Sequence, residues 1–162
     1  EIGSGLVGSE MCIRDSPLAV ERISKVEMER RVLHAAQLLN IEEILKRYPD
    51  ELSVGQRQRI AAARALVVHP QVIFADEPTG SLDSKSATEL LNYLNTINQV
   101  EKSTILLVTH DPYTASYCNR ILFIKDGVIF SEVVRRGSRN EFFERVIDMQ
   151  ATIGGGGKVN AL

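Results

Sequence analysis

An α/β fold with a mostly parallel sheet flanked by helices is what this sequence predicts, and three observations predict it. Val72-Ile73-Phe74-Ala75 is a short continuous apolar run that stops abruptly at Asp76-Glu77-Pro78, the pattern of a fully buried parallel strand. Thr104 to Thr109 repeats the pattern and stops at His110-Asp111-Pro112. Between the two, Ala87, Leu90, Leu91, Leu94 and Ile97 recur at helical spacing on one face. Strand, helix, strand in that order is the alternation of a layered α/β sheet.

The N-terminal segment stands apart. Glu1 to Ser16 carries three glycines and no sustained periodicity, and it lacks the basic start and long apolar stretch of a secretory signal. Leu6 to Asp15 resembles the peptide produced when sequencing-adapter DNA is translated in frame, so residues 1–16 are expected to be a non-native leader, a genuine flexible leader being the alternative. From Pro17 the pattern turns helical. Ser24 suits an N-cap, and Val26, Val32, Leu33, Ala36 and Leu39 recur at mostly three- and four-residue steps. A second short helix is expected over Ile41 to Arg47, broken by Tyr48-Pro49-Asp50. Arg57 to Val68, rich in Ala, Arg and Gln, reads as a third.

After the first apolar run, Asp83 or Ser84 caps the helix that carries Ala87 to Ile97. Beyond Pro112 come a helix, a strand over Ile121 to Ile124, an Asp126-Gly127 hairpin turn and a returning strand over Val128 to Val134. Ser138 and Glu141 form a capping-box pattern before a last helix carrying Phe142, Phe143, Val146 and Ile147. Gly154 to Leu162 is a glycine-rich tail, expected to be mobile. The expected organisation is a leader (1–16), a helical subdomain (17–68), a sheet-bearing core with its last helix (69–153) and a tail (154–162).

Composition narrows the classes. A chain of 162 residues with 44% hydrophobic and 25% charged residues fits one globular domain. Its net charge of −2 argues against broad electrostatic binding, so no nucleic-acid partner is expected. No apolar run approaches the roughly 20 residues that span a bilayer, so a membrane role is expected only through a partner. Cys12 and Cys118 fit neither a metal-ligand spacing nor a disulfide framework, which makes a reducing, cytosolic setting the default.

Chemistry concentrates where the apolar runs end. In open α/β sheets, ligands sit beyond the carboxyl ends of the strands. Asp76 and Glu77 follow one run and His110 the other, so adjacent strand ends put two carboxylates and an imidazole on one rim. An Asp at a strand end can hold Mg²⁺ largely through water, because a hard cation prefers oxygen ligands. The neighbouring Glu can orient or deprotonate an attacking water, and the imidazole can contact a phosphate oxygen or that water. Taken singly, Asp76 and Asp111 also read as caps and His110 as a satisfied surface residue. Ser53 with Gln56 satisfies the capping-box template, yet Ser53 and Gly55 also place a hydroxyl and unshielded amides at a helix N-terminus, where a phosphate is favoured.

These residues resemble a known family. Leu52-Ser53-Val54-Gly55-Gln56-Arg57-Gln58-Arg59 is similar to the signature motif of ABC-type ATPases. Val72 to Glu77 resembles their Walker B strand, Ser81-Leu82-Asp83 their D-loop, and Val108-Thr109-His110 their switch-histidine loop, in the family's order and spacing. The resemblance runs from about Pro17 to about Gly154. Asp111 to Cys118 and Gly137 to Phe143 look most like the ATPases of bacitracin-type peptide-antibiotic exporters.

The resemblance implies the C-terminal part of a P-loop NTPase domain, with ATP and Mg²⁺ as its cofactors. Asp76 would hold Mg²⁺, Glu77 would polarise the attacking water, and His110 would sense the γ-phosphate. Ser53, Gly55 and Gln56 would contact ATP held by a second ATP-binding subunit in a head-to-tail dimer, with Asp83 at that interface. A transmembrane permease would be the further partner, keeping the subunit on the inner face of the cell membrane. Val54 departs from the pattern, which most often has glycine there, and stiffens the loop.

No G-x-x-x-x-G-K-[ST] loop precedes these motifs, and nothing matches the family's glutamine loop or adenine-stacking aromatic. Gly154 to Lys158 is a decoy, with Thr152 at the first glycine position and Val159 where Ser or Thr must meet Mg²⁺. The expectation is therefore a C-terminal portion of an ATPase whose own nucleotide cradle is missing. The alternatives are a DNA-repair or chromosome-organising ATPase, and a non-catalytic module that donates its signature surface. The first places long coiled-coil arms before the signature, and Pro17 to Asp50 shows no sustained heptads.

Overall fold

A computed structural model describes Ile13 and residues 23–154. The expectations for the leader and the tail therefore lie outside the described residues, save Ile13, which is buried, and Gly154, which closes the last helix. The chain divides into two compact units, Glu1–Leu107 and Val108–Leu162.

In the first unit, helix α1 spans Lys25–Leu39. Ser24 caps it by accepting from the Glu27 amide at 3.2 Å, and it ends at Asn40 in the left-handed conformation, φ 51°. Its buried stripe is Val32, Ala35, Ala36 and Leu39. Val26 and Leu33, expected on that stripe, are instead 76% and 50% exposed. Steps of three, four and seven from Val32 stay on one face, whereas Leu33 is turned by about 100° and Val26 by about 240°. The helix expected over Ile41 to Arg47 is only a 3-10 turn, Glu42–Ile44, because Ile41 and Ile44, three apart, are both drawn into the core. Tyr48 is extended, as the residue before a proline prefers to be, and Pro49–Glu51 makes a second 3-10 turn.

Helix α2, Val54–Leu66, begins three residues earlier than its composition suggested, because the Ser53 cap fixes its start. Strand β1 is Val72–Asp76 and helix α3 is Ser84–Val100, capped by Asp83. All five expected residues of α3 are buried: Ala87, Leu90, Leu91, Leu94 and Ile97. Strand β2, Thr104–Val108, lies beside β1 in a two-stranded parallel sheet. The core of the unit is where α1, α2 and α3 meet the sheet through Ile73, Ile105 and Leu107. A polar tie reinforces it at one end: His34 Nε2 of α1 lies 2.7 Å from Glu101 Oε1, just past α3, and His69 Nδ1 lies 3.7 Å from Oε2.

One expectation for β1 is overturned. The strand is not buried on both faces: Val72 and Phe74 are 45% and 77% exposed, and Leu106 of β2 is 49% exposed. Side chains alternate across a strand, so Ile73, Ile105 and Leu107 take the core side and Val72, Phe74 and Leu106 the other. Among the described residues that second face has no apolar layer over it.

The second unit opens with α4, Pro112–Ala115, capped by Asp111 through the amides of Tyr113 (3.1 Å) and Thr114 (2.9 Å). Strands β3, Arg120–Lys125, and β4, Val128–Val134, pair antiparallel with Phe123 opposite Ser131 and a register shift after Phe123. Asp126 and Gly127 both have positive φ, 53° and 78°, which is what a two-residue turn of matching twist requires. Helix α5, Arg139–Gly154, buries Phe142 and Val146 against Phe123 and Val133. Phe143 is half-buried and Ile147 is exposed, so only half of the expected apolar face reaches the core. The Ser138–Glu141 capping box forms, with the Ser138 amide donating to Glu141 Oε2 at 2.9 Å and the Glu141 amide to Ser138 Oγ at 3.3 Å.

Candidate functional site

The signature segment is a built helix start. Leu52 is buried and anchors it, while Ser53 and Val54 are exposed. The Gln56 amide donates to Ser53 Oγ at 3.2 Å and the Ser53 amide donates to Gln56 Oε1 at 2.9 Å, so both halves of the expected capping box are present. The amides of Val54 and Gly55 lie in the first turn of α2, where the helix dipole favours an anion. Arg59 holds α2 to its neighbours, donating to the Asn40 carbonyl at 3.3 Å and lying 5.8 Å from the centre of the Tyr93 ring.

Asp83 sits at the start of α3 in the same unit. Its Oδ1 accepts from the amides of Lys85 and Ser86, both at 3.0 Å, and its Oδ2 accepts from Ser86 Oγ at 2.6 Å. The Ser86 hydroxyl, aided by those amides, holds the Asp83 carboxyl below its ordinary range. Ser86 also meets the signature: a Cβ placed on Gly55 would stand 3.2 Å from both Cβ and Oγ of Ser86. Sequence reading missed Ser86. Its only local signal is its place three residues after a capping aspartate.

Asp76 closes β1 with an exposed carboxylate, and Glu77 follows with φ 43°. A glutamate before proline ordinarily takes an extended backbone, so the left-handed conformation stores roughly 1–3 kcal/mol of strain. It is held by a tight turn in which the Gly80 amide donates to the Glu77 carbonyl at 3.1 Å and the Leu82 amide to that of Thr79 at 3.0 Å. Strain of this kind collects at functional sites. Among the described residues no group of three or more His, Cys, Asp and Glu could hold a metal. Mg²⁺ keeps several waters and uses one or two carboxylates together with substrate phosphates, and the exposed carboxylate of Asp76 is of the type that could serve it.

His110 belongs to the second unit, two residues beyond β2. Its carbonyl accepts from Gln150 Nε2 of α5 at 3.0 Å, and the neighbouring Thr109 Oγ1 accepts from the Asp111 amide at 3.1 Å. Thus Gly55 lies close to Ser86, which bonds Asp83, in the first unit, Asp76 and Glu77 share the end of β1, and His110 is held within the second unit. The second unit holds one further polar cluster that sequence reading passed over: the Arg139 guanidinium lies 5.2 Å from the Tyr113 ring centre and 4.6 Å from that of Tyr117.

Known proteins are similar to this chain in sequence and in fold. The family model described as ABC transporter matches residues 4–80. The bacitracin export ATP-binding protein BceA of Halalkalibacterium halodurans is 46% identical over 140 residues, which are 86% of this chain and 55% of that protein. The uncharacterized ABC transporter ATP-binding protein YvcR of Bacillus subtilis is 48% identical over 139 residues, 86% of this chain and 54% of that protein. Among solved structures, the dimeric ABC transporter cassette MJ0796 of Methanocaldococcus jannaschii superposes with a TM-score of 0.68 at 34% identity, over 82% of this chain and 59% of that one. The same cassette has a dimeric post-hydrolysis structure bound to ADP and Pi. The chain spans about half the length of the curated relatives it matches. On the family match, the relatives and the superposed cassettes, the chain belongs to the ABC transporter ATP-binding family.

Proposed function

We propose that this chain is part of an ATP-hydrolysing subunit that drives a membrane permease, with export of peptide antibiotics of the bacitracin type as its transport class. The observation that carries the catalytic reading is Glu77, a strained glutamate fixed beside Asp76 at the end of β1. Water attacks the γ-phosphorus, a phosphorus–oxygen bond forms, and the bond to the bridging oxygen of ADP breaks. Glu77 orients that water and takes its proton, leaving ADP and inorganic phosphate. His110 contacts the γ-phosphate oxygens. Asp76 holds Mg²⁺, which when bound neutralises phosphate charge.

Ser53, Gly55 and Gln56 present the start of α2 to ATP on a second subunit in a head-to-tail dimer, with Asp83 beside them. The relatives' names and the dimeric cassette support this assembly, and the permease would hold the subunit at the cytoplasmic face of the membrane. These 162 residues contain no G-x-x-x-x-G-K-[ST] sequence, and turnover would need a phosphate loop of that kind beside Asp76 and Glu77. A second reading is favoured for the chain by itself. There the exposed start of α2 would donate a signature surface to a partner's nucleotide.

The test is a complete ATPase made by joining this chain to the portion of the H. halodurans relative that it does not span. Glu77→Gln keeps the shape but removes the proton acceptor. It should lower turnover by about 10²–10⁴-fold and leave ATP affinity unchanged. Undiminished hydrolysis would remove Glu77 from the mechanism.

A further inference from the structure

We propose that Ser86 is a positioning residue that locks the interface aspartate Asp83 and the signature residue Gly55 into one unit. The proposal rests on the reading above, in which Gly55 faces a partner's nucleotide and Asp83 lies at the dimer interface. Three observations carry it.

First, Asp83 is bonded beyond what capping requires. One carboxylate oxygen already takes the amides of Lys85 and Ser86, which satisfies the start of α3. The other takes the Ser86 hydroxyl at 2.6 Å, a short charge-assisted bond that fixes the rotation of the carboxylate.

Second, Gly55 is a glycine without a conformational reason. It lies in the first turn of α2 and is absent from the positive-φ residues, so its backbone does not call for glycine. Glycine is among the poorest helix formers, so something else must account for it. Close approach does: an added Cβ would stand 3.2 Å from both Cβ and Oγ of Ser86, tighter than ordinary contact.

Third, the atom that fixes Asp83 is one of the two that a Cβ added at Gly55 would meet. A shift that brings the two helix starts closer would press on Ser86 Oγ and so be felt at Asp83. The two segments that would face a partner move as one, and Ser86 acts through them without touching nucleotide itself.

The test uses the 162-residue chain with isotope-labelled NMR, following the Asp83 carboxyl and the Gly55 amide during acid titration. In the parent chain the Gly55 amide should follow the Asp83 midpoint, which lies below the ordinary carboxylate range. Ser86→Ala should raise that midpoint and abolish the response at Gly55, whereas Ser86→Thr, which keeps the hydroxyl, should retain both. Gly55→Ala gives an independent reading. It makes no hydrogen bond to Asp83, yet by crowding Ser86 it should raise the Asp83 midpoint. An Asp83 midpoint unmoved by Ser86→Ala and by Gly55→Ala would overturn the proposal, as would a Gly55 amide indifferent to Asp83 in the parent.

A second arm separates this from the functional reading. In the complete ATPase carrying Glu77→Gln, Ser86→Ala should weaken ATP-dependent dimerisation roughly tenfold while monomer ATP affinity stays unchanged. Coupling seen by NMR with unchanged dimerisation would sink the placement of Asp83 and Gly55 at the dimer interface, and with it the role claimed for Ser86 there. Absence of the coupling would overturn the positioning role whatever the dimer does.

Discussion

Phe74→Ala separates a bare sheet face from a covered one. The ring is 77% exposed, so only about a quarter of it is out of water. Complete burial of such a side chain is worth about 1.5–3 kcal/mol, which leaves roughly 0.5 kcal/mol to lose in this chain. Loss of an aromatic residue from a strand adds at most about 1 kcal/mol. In the complete ATPase, where a further layer would cover the face, the same change would open a cavity and cost about 3–5 kcal/mol. Urea unfolding of both proteins gives the two values, with repeats at several protein concentrations to separate folding from association through the apolar face. The variant of the short chain should also stay monomeric at higher concentration than the parent, since one large exposed ring has gone. A loss above about 2 kcal/mol in the 162-residue chain would show that the face is already covered. Equal small losses in both proteins would show that no layer seats there.

The remaining expectations are more local. Ser53→Ala should cost roughly 0.5–2 kcal/mol by chemical denaturation, because it removes one half of a capping box, and Ser53→Gly should cost less. The chain should also lose stability in acid. Hydrogen bonds from Arg30 and then Arg31 hold Glu27 down to about 2, the Ser86 hydroxyl lowers Asp83, and the Ser138 amide lowers Glu141. Burial pushes Asp111 up, but the hydroxyl and amide of Thr114 and the amide of Tyr113 outweigh it and hold the group low. Each of these carboxyls is more acidic folded than unfolded, so its contribution is complete above the ordinary carboxylate range and fades as pH falls through the folded value. The melting temperature should fall steadily below about pH 4, and a rise between pH 5 and pH 3 would contradict the assignment.

Local chemistry was legible, and distant contact was not. Ser24, Ser53, Asp83, Asp111 and Ser138 could be read as caps because a cap and its amides lie within three residues of each other. The α3 face was legible in full, since five apolar residues at steps of three, one, three and three leave a single way to turn the helix. Val26, Leu33 and Phe74 misled for a common reason: apolar character says that a residue can be buried, while burial needs a neighbour to cover it. The helix proposed over Ile41 to Arg47 failed because tertiary burial of Ile41 and Ile44 outweighed propensity. In the candidate site, motif order singles out Ser53, Gly55, Gln56, Asp76, Glu77, Asp83 and His110 as candidates. The backbone strain at Glu77 and the meeting of Gly55 with Ser86 depend on the turn after β1 and on packing across 31 positions of sequence, which no local pattern records.

The central claim is that the start of α2 faces a nucleotide on a second subunit, and size-exclusion chromatography with Mg-ATP tests it most directly. The complete ATPase carrying Glu77→Gln should hold ATP with little hydrolysis and elute as a dimer. Adding Ser53→Arg places a bulky cation where the exposed hydroxyl of Ser53 stands. That double variant, shown to be folded by circular dichroism and to bind ATP in the monomer, should elute as a monomer. A folded double variant that still forms the ATP-dependent dimer would reduce Ser53 to a helix cap and contradict the two-site account.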